Sequence, residues 1–213
     1  MNVIPVINCP DLACAKEKIE TTKTFLPAGS FLHMDVTDGI FAAHLTLNDP
    51  LQWAQLGAPF ALEAHLMMEH PEEHLDAWLA AGMKRCIVHM ETIAPHACRE
   101  LIDRCQVAGA TLMLSSHPDT PVDALTPYLA LPCGFQVLAV YPGAAGQPFI
   151  PEVLDKIRFL REKVHDAIIE VDGGMTPETA ALVKAAGADT IVSASYIFGS
   201  NDPKAAYETL KRI

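Results

Sequence analysis

Phe31-Leu32-His33-Met34-Asp35-Val36-Thr37-Asp38-Gly39 is the stretch from which both a fold and a chemistry can be read. It has the length and apolar content of a buried strand, bounded by a turn at Asp38-Gly39. Strand side chains alternate between faces, so His33 and Asp35 point to the same side. In a closed barrel that side is the interior, near the C-terminal rim where active sites lie. An imidazole and a carboxylate two residues apart form half of a plausible metal site. They would equally form a buried His–Asp hydrogen bond that only orders the barrel.

Short apolar or β-branched runs alternate with amphipathic stretches on both sides of this segment. The other strand candidates are Val3–Asn8, Ala61–Leu66, Arg85–Met90, Thr111–Ser115, Phe135–Val140, Ala167–Val171 and Thr190–Ser193, with Phe31–Val36 as the second of eight. The spacing predicts helices at Leu12–Phe25, Pro50–Leu56, Pro71–Ala81, Pro95–Ala108, Pro121–Leu129, Pro151–Val164, Pro177–Ala186 and Pro203–Ile213. Proline in a first turn loses no hydrogen bond. Pro71-Glu72, Pro151-Glu152 and Pro177-Glu178 add a carboxylate that suits the helix dipole. Gly82, Gly109 and Gly187 each follow an alanine where a helix should stop. Strands too apolar to alternate imply a parallel sheet covered on both faces. Spacing alone leaves both a barrel and an open doubly wound sheet.

Two further strand ends carry chemistry. Glu63-Ala64-His65-Leu66-Met67 puts His65 one βα unit after His33; two strand-end histidines beside Asp35 favour ligands over isolated core histidines. His70 and His74 read as solvated. Glu170-Val171-Asp172-Gly173-Gly174 places two carboxylates on one parity, and a buried carboxylate needs a partner or a metal. Its two glycines can offer backbone N–H groups to a phosphate, though Asp-Gly-Gly also describes a plain turn. Tyr141-Pro142-Gly143-Ala144-Ala145-Gly146-Gln147 and Ser193-Ala194-Ser195 are further candidates for phosphate loops or mere connections.

The chain has 213 residues and a formal net charge of −11, which argues against nucleic acid or an anionic membrane as partner. No apolar run reaches the ~18 residues of a membrane span. No signal peptide is read at Met1, and Cys9, Cys14, Cys86, Cys98, Cys105 and Cys133 form no CxxC pair. Reduced thiols and a cytoplasmic location are the expectation.

Taken in order, His33-Met34-Asp35-Val36-Thr37-Asp38-Gly39, His65-Leu66-Met67, Val88-His89-Met90-Glu91, Pro118-Asp119-Thr120-Pro121, Pro142 to Pro151 and Glu170-Val171-Asp172-Gly173-Gly174 resemble the ribulose-phosphate 3-epimerases and related ketose-phosphate 3-epimerases. The resemblance covers nearly the whole chain. It implies an α/β fold, a (β/α)8 TIM barrel as one domain over residues 1–213. It also implies one divalent metal ion (Zn, Fe, Mn or Co) on His33, Asp35, His65 and Asp172, with Asp35 and Asp172 as the acid/base pair. Substrate-binding positions fall on Asn8, His65, Gly143, Ala144, Ala145, Gly146, Gly173, Gly174, Ala194 and Ser195. The substrate would be a phosphorylated ketose, D-ribulose 5-phosphate becoming D-xylulose 5-phosphate, and the assembly a homo-oligomer. Such chemistry agrees with the residues: inverting C3 needs a base on each face, and a cation stabilises the enediolate charge.

The sequence departs from the resemblance around the sugar. Asn8 stands where the family usually has serine, Thr37 and Leu138 where it has methionines, and His44 and Tyr141 where it has asparagine or acidic residues. His117 and Ala194 are further changes. These five sugar-side residues, Asn8, Thr37, His44, Leu138 and Tyr141, are expected to surround the reacting carbons, leaving the chemistry better indicated than the sugar. The rival readings are 3-epimerisation of another ketose phosphate such as allulose 6-phosphate, and a sugar-phosphate-binding barrel without turnover. A lyase of the same fold is a third, but no lysine follows Asp35 or Asp172 closely.

Overall fold

The structure, a computed structural model, describes residues 1–213. Eight parallel strands close into a barrel in sequence order: β1 Asn2–Ile7, β2 Phe31–Thr37, β3 Ala61–Met67, β4 Arg85–His89, β5 Thr111–Ser116, β6 Gly134–Leu138, β7 Ile169–Asp172 and β8 Thr190–Ser193. β1 pairs with both β2 and β8, which excludes the open sheet. The helices are α1 Leu12–Thr22, α2 Pro50–Gln55, α3 Pro71–Ala80, α4 Pro95–Val107, α5 Val153–Lys163, α6 Pro177–Ala186, the single turn α7 Ser195–Phe198, and α8 Pro203–Lys211. None is long and apolar enough to cross a membrane. The chain is thus a (β/α)8 TIM barrel.

Local chemistry starts and stops these helices. Pro50, Pro71, Pro95, Pro177 and Pro203 sit in first turns, and Asp11, Asp49, Thr176 and Asp202 accept backbone amides as N-caps. Gly187 ends α6 at φ 114°, which a side chain would resist.

Outward side chains such as Leu32, Met34, Ala64, Leu66, Val137 and Val171 join the helices in one large apolar core. Inside the barrel only Ile4, Val6 and Val192 form an apolar cluster. Beside it lies a strongly polar set, with His33, Glu63, His65, His89, Gln136 and Glu170 all fully buried.

Two expectations are corrected. The segment expected to be a helix over 121–129 is a 3-10 helix, Val122–Tyr128. Pro127 inside it has no N–H to donate and disfavours the α form. Secondly, Cys9 and Cys14 are joined in a disulfide rather than reduced. The Asp11 cap receives the amide of Cys14 and folds the start of α1 back over the end of β1, with the two Cα atoms 5.6 Å apart. A five-residue separation needs no CxxC motif once a helix cap supplies the turn.

Candidate active site

Register brings the chemistry together. Asp35 pairs with His65 across β2 and β3, His33 with Glu63 one layer below, and Asp172 with Leu138 and Val192 at the end of β7. His33 Nε2 lies 3.3 Å from Asp35 Oδ1, and His65 Nδ1 lies 3.7 Å from that oxygen and 3.4 Å from Asp172 Oδ2. All four ligand-type atoms fall within 4.8 Å of one another. The expected convergence of His33, Asp35, His65 and Asp172 is therefore present in the geometry.

Three atoms of this cluster, His33 Nε2, Asp35 Oδ1 and His65 Nδ1, are buried without a hydrogen-bond partner. They face each other, as atoms sharing one ion would. Donors held about 2.0–2.2 Å from a tetrahedral ion stand roughly 3.3–3.6 Å apart, close to the spacing here. The charge balance also favours a cation. Burial opposes protonation of His33, yet Asp35 and Glu63 raise its pKa well above the ordinary value. Burial likewise opposes protonation of His65, and Asp172 and Asp35 overcome it. Burial would raise Asp35, but His33 and His65 hold it below the usual carboxylate range. A centre that draws protons onto two buried imidazoles is one that a metal cation fits.

Three of the four ligand-type residues have a hydrogen-bonded partner: His33 has Glu63, Asp35 has Asn8 and His65 has His89. His33 Nδ1 donates to Glu63 Oε1 at 2.8 Å, which turns Nε2 toward the cluster. Arg85 donates to Glu63 at 2.7 Å and reaches Glu170 at 3.4 Å, while Gln136 donates to Glu170 at 3.1 Å. Burial and the nearby Glu63 carboxylate push Glu170 up, toward its uncharged form, while Arg85 lies closer to Glu63 than to Glu170. Sequence reading gave no role to Arg85, Gln136 or Glu63; the inward parity that links Glu63 to His65 was the available signal.

Above the cluster a narrow cleft opens at the C-terminal end of the barrel. Asp35 and Asp172 reach its floor, and Asn8, Gly143, Ala144, Ala145, Gly146, Gly173, Gly174, Ala194 and Ser195 all line it. His65, expected to touch substrate as well as metal, lies beneath the floor and is fully buried. Gly174 has φ 68°, and a Cβ there would come 2.7 Å from the backbone of Phe149, so only glycine lets these two loops close together. Ala194 has φ −99°, so no glycine is needed at that position.

The sugar-side substitutions divide into two groups. Asn8, Leu138 and Tyr141 line the cleft, whereas Thr37 and His44 do not. Thr37 is instead buried, bonded through its hydroxyl to the His44 carbonyl. His44 acts one step back: its Nε2 is 3.1 Å from Asn8 Oδ1, and Asn8 Nδ2 donates to Asp35 Oδ2 at 2.8 Å and to the Gly143 carbonyl at 3.1 Å. Asp38, read as a turn residue, caps the amides of Ile40, Phe41 and Glu69.

The chain is similar to known proteins over most of its length. The profile of the "Ribulose-phosphate 3 epimerase family" matches residues 3–198. A ribulose-phosphate 3-epimerase of Chlamydia muridarum is 33% identical over 206 residues, covering 92% of this chain and 87% of that protein. The cytoplasmic isoform of ribulose-phosphate 3-epimerase from Oryza sativa subsp. japonica is 34% identical over 186 residues, covering 85% and 81%. Among solved structures, a 3-hexulose-6-phosphate synthase superposes with a TM-score of 0.73 over 100% of this chain and 99% of that one; at 17% identity it speaks to the fold alone. Sequence kinship across almost the full barrel, on a chain whose buried His/Asp cluster could hold a metal ion, makes this protein an isomerase of the ribulose-phosphate 3-epimerase family.

Proposed function

We propose that the protein, acting as one domain over residues 1–213, inverts C3 of a ketose phosphate, with D-ribulose 5-phosphate and D-xylulose 5-phosphate as the leading pair. The observation that carries this reading is the approach of two carboxylates, Asp35 from β2 and Asp172 from β7, to His65 Nδ1 at the cleft floor. One aspartate takes the C3 proton on its face of the sugar, and the electron pair moves toward the C2 carbonyl oxygen. The other aspartate, carrying a proton, returns it to C3 on the opposite face. Reversal exchanges the two roles, and a single carboxylate could not serve both faces.

His33, Asp35, His65 and Asp172 would hold one divalent cation; Zn, Fe, Mn and Co all suit two imidazoles and two carboxylates. When bound it would supply Lewis-acid stabilisation of the charge developing on oxygen. Asn8 keeps one oxygen of Asp35 engaged and so fixes the orientation of the other. The phosphate would sit against backbone amides of Gly143–Gly146, Gly173–Gly174 and Ala194–Ser195. Local donors are needed because a net charge of −11 repels an anionic substrate.

The Asn8–His44 pair, with Leu138 and Tyr141, favours a second reading, a different ketose phosphate such as allulose 6-phosphate. A pocket that pairs particular hydroxyls discriminates strongly when one is unmatched. The deciding experiment is kcat/KM across tetrulose, pentulose and hexulose phosphates in one metal-loaded preparation. Ribulose 5-phosphate as the best substrate, at about 10⁴ M⁻¹s⁻¹ or more, supports the leading pair. Weak turnover of it beside a better hexulose or tetrulose phosphate supports the second. The homo-oligomer and the cytoplasmic location belong to this proposal too.

A further inference from the structure

We propose that His89 and Glu91 are positioning residues for His65, fixing its proton on Nε2 and so leaving Nδ1 bare for the cation; the inference rests on the metal reading above. His89 closes β4 on the inward face, and its Nε2 is 3.0 Å from His65 Nε2. The ring centroids are 5.0 Å apart and the planes 19° apart. With the two nitrogens so much closer than the centroids, the rings meet edge to edge and nearly coplanar, as in an N–H···N hydrogen bond. Two nitrogens at that distance share one proton, so one ring donates and the other accepts.

Glu91 decides which. Its Oε2 lies 3.2 Å from His89 Nδ1, and a carboxylate only accepts, so His89 carries its proton on Nδ1. A neutral His89 then presents a lone pair at Nε2, and His65 Nε2 must supply the hydrogen. The lone pair of His65 is thereby placed on Nδ1, the unpartnered atom that faces Asp35 and Asp172. Alternative partners are shut out: His89 is fully buried, with the ring of Phe41 4.6 Å away centroid to centroid. The far oxygen of Glu91 is held in turn by the His117 amide at 2.9 Å and by the Thr120 hydroxyl. The relay therefore runs from the cation site to the loop after β5.

A merely structural buried pair would leave metal binding untouched, and that separates the two accounts. Zinc affinity is measured on metal-stripped protein by competition with a chromophoric chelator, for the parent, Glu91→Gln, His89→Leu and the double variant. A glutamine offers one carbonyl oxygen and cannot serve both His89 and the His117 amide. Each single variant is expected to bind zinc about 10–100-fold more weakly, and the double no more weakly than His89→Leu, because Glu91 acts through His89. Zinc affinity within twofold of the parent in Glu91→Gln, or losses that multiply in the double variant, overturns the proposal. A variant-free measurement guards against unfolding: long-range ¹H–¹⁵N spectra of the zinc-loaded parent should find the Nδ1–H tautomer at His89 and a proton on His65 Nε2. The opposite tautomer at either ring overturns it. A parent that takes up no zinc would instead overturn the metal reading, and this inference with it.

Discussion

In the proposed mechanism Asp35 and Asp172 each combine two roles, cation ligand and acid/base group. Both are almost buried, and the electrostatic pull of His33 and His65 keeps Asp35 a strong acid rather than a neutral one. Asp35→Asn or Asp172→Asn keeps the shape and removes the proton acceptor on one face. Each variant is expected to lose at least the roughly 10²–10⁴-fold that general acid/base catalysis supplies, measured as kcat with the ketose phosphate in either direction. Weaker cation binding should deepen the loss. Near-normal turnover by either variant with zinc bound would show that one carboxylate suffices.

At the scale of elements, the strand ends were legible and their partners were not. His33, Asp35, His65 and Asp172 could be placed because period-two alternation and position at a C-terminal strand end fix where an inward side chain points. Arg85 and Gln136 gave no such signal: an arginine or glutamine in an apolar run reads as an edge feature until the barrel closes around it and Glu170. The 3-10 helix at Val122–Tyr128 was missed because proline marks helix starts elsewhere in this chain, and at Pro127 it lies inside. The contact between the end of β4 and the loop after β5 could not be read at all, since 26 residues separate Glu91 from His117.

That contact has a pH signature. Burial would raise Glu91, but His89, Thr120 and the His117 amide bring it down to about 2. Its folded pKa lies below the unfolded value of 4.5, so its contribution is complete above that value and is lost as pH falls toward 2. The difference in urea midpoint between the parent and Glu91→Gln is therefore expected to be constant above pH 5 and to shrink between pH 5 and 3. A difference independent of pH would mean the carboxylate gains nothing from the loop.

For the whole molecule, the polar interior is the feature that needs a cation. Glu63 and Arg85 pair, burial and Glu63 push Glu170 toward its uncharged form, and the remaining histidines and aspartates at the top of the barrel leave three atoms unpartnered. Cation binding should accordingly stabilise the entire fold. With free zinc at about 1,000 times its Kd the gain is about 4 kcal/mol, or a rise of roughly 8–16 °C in Tm for a chain this size. Calorimetry with and without chelator reads it directly. Asp35→Asn and Asp172→Asn should show much smaller shifts, and an equal shift in both would place the ion elsewhere.

Exchange of the C3 proton with solvent tests the account most directly, since it reports proton abstraction whichever ketose phosphate fits best. Metal-loaded protein is incubated in D₂O with ketose phosphates of four, five and six carbons, and the C3 position is followed by NMR. The account expects one deuterium at C3 of at least one of these sugars, in both epimers at equilibrium, and none with Asp35→Asn or Asp172→Asn. A fully folded, metal-loaded protein that leaves C3 protonated in every sugar would contradict it.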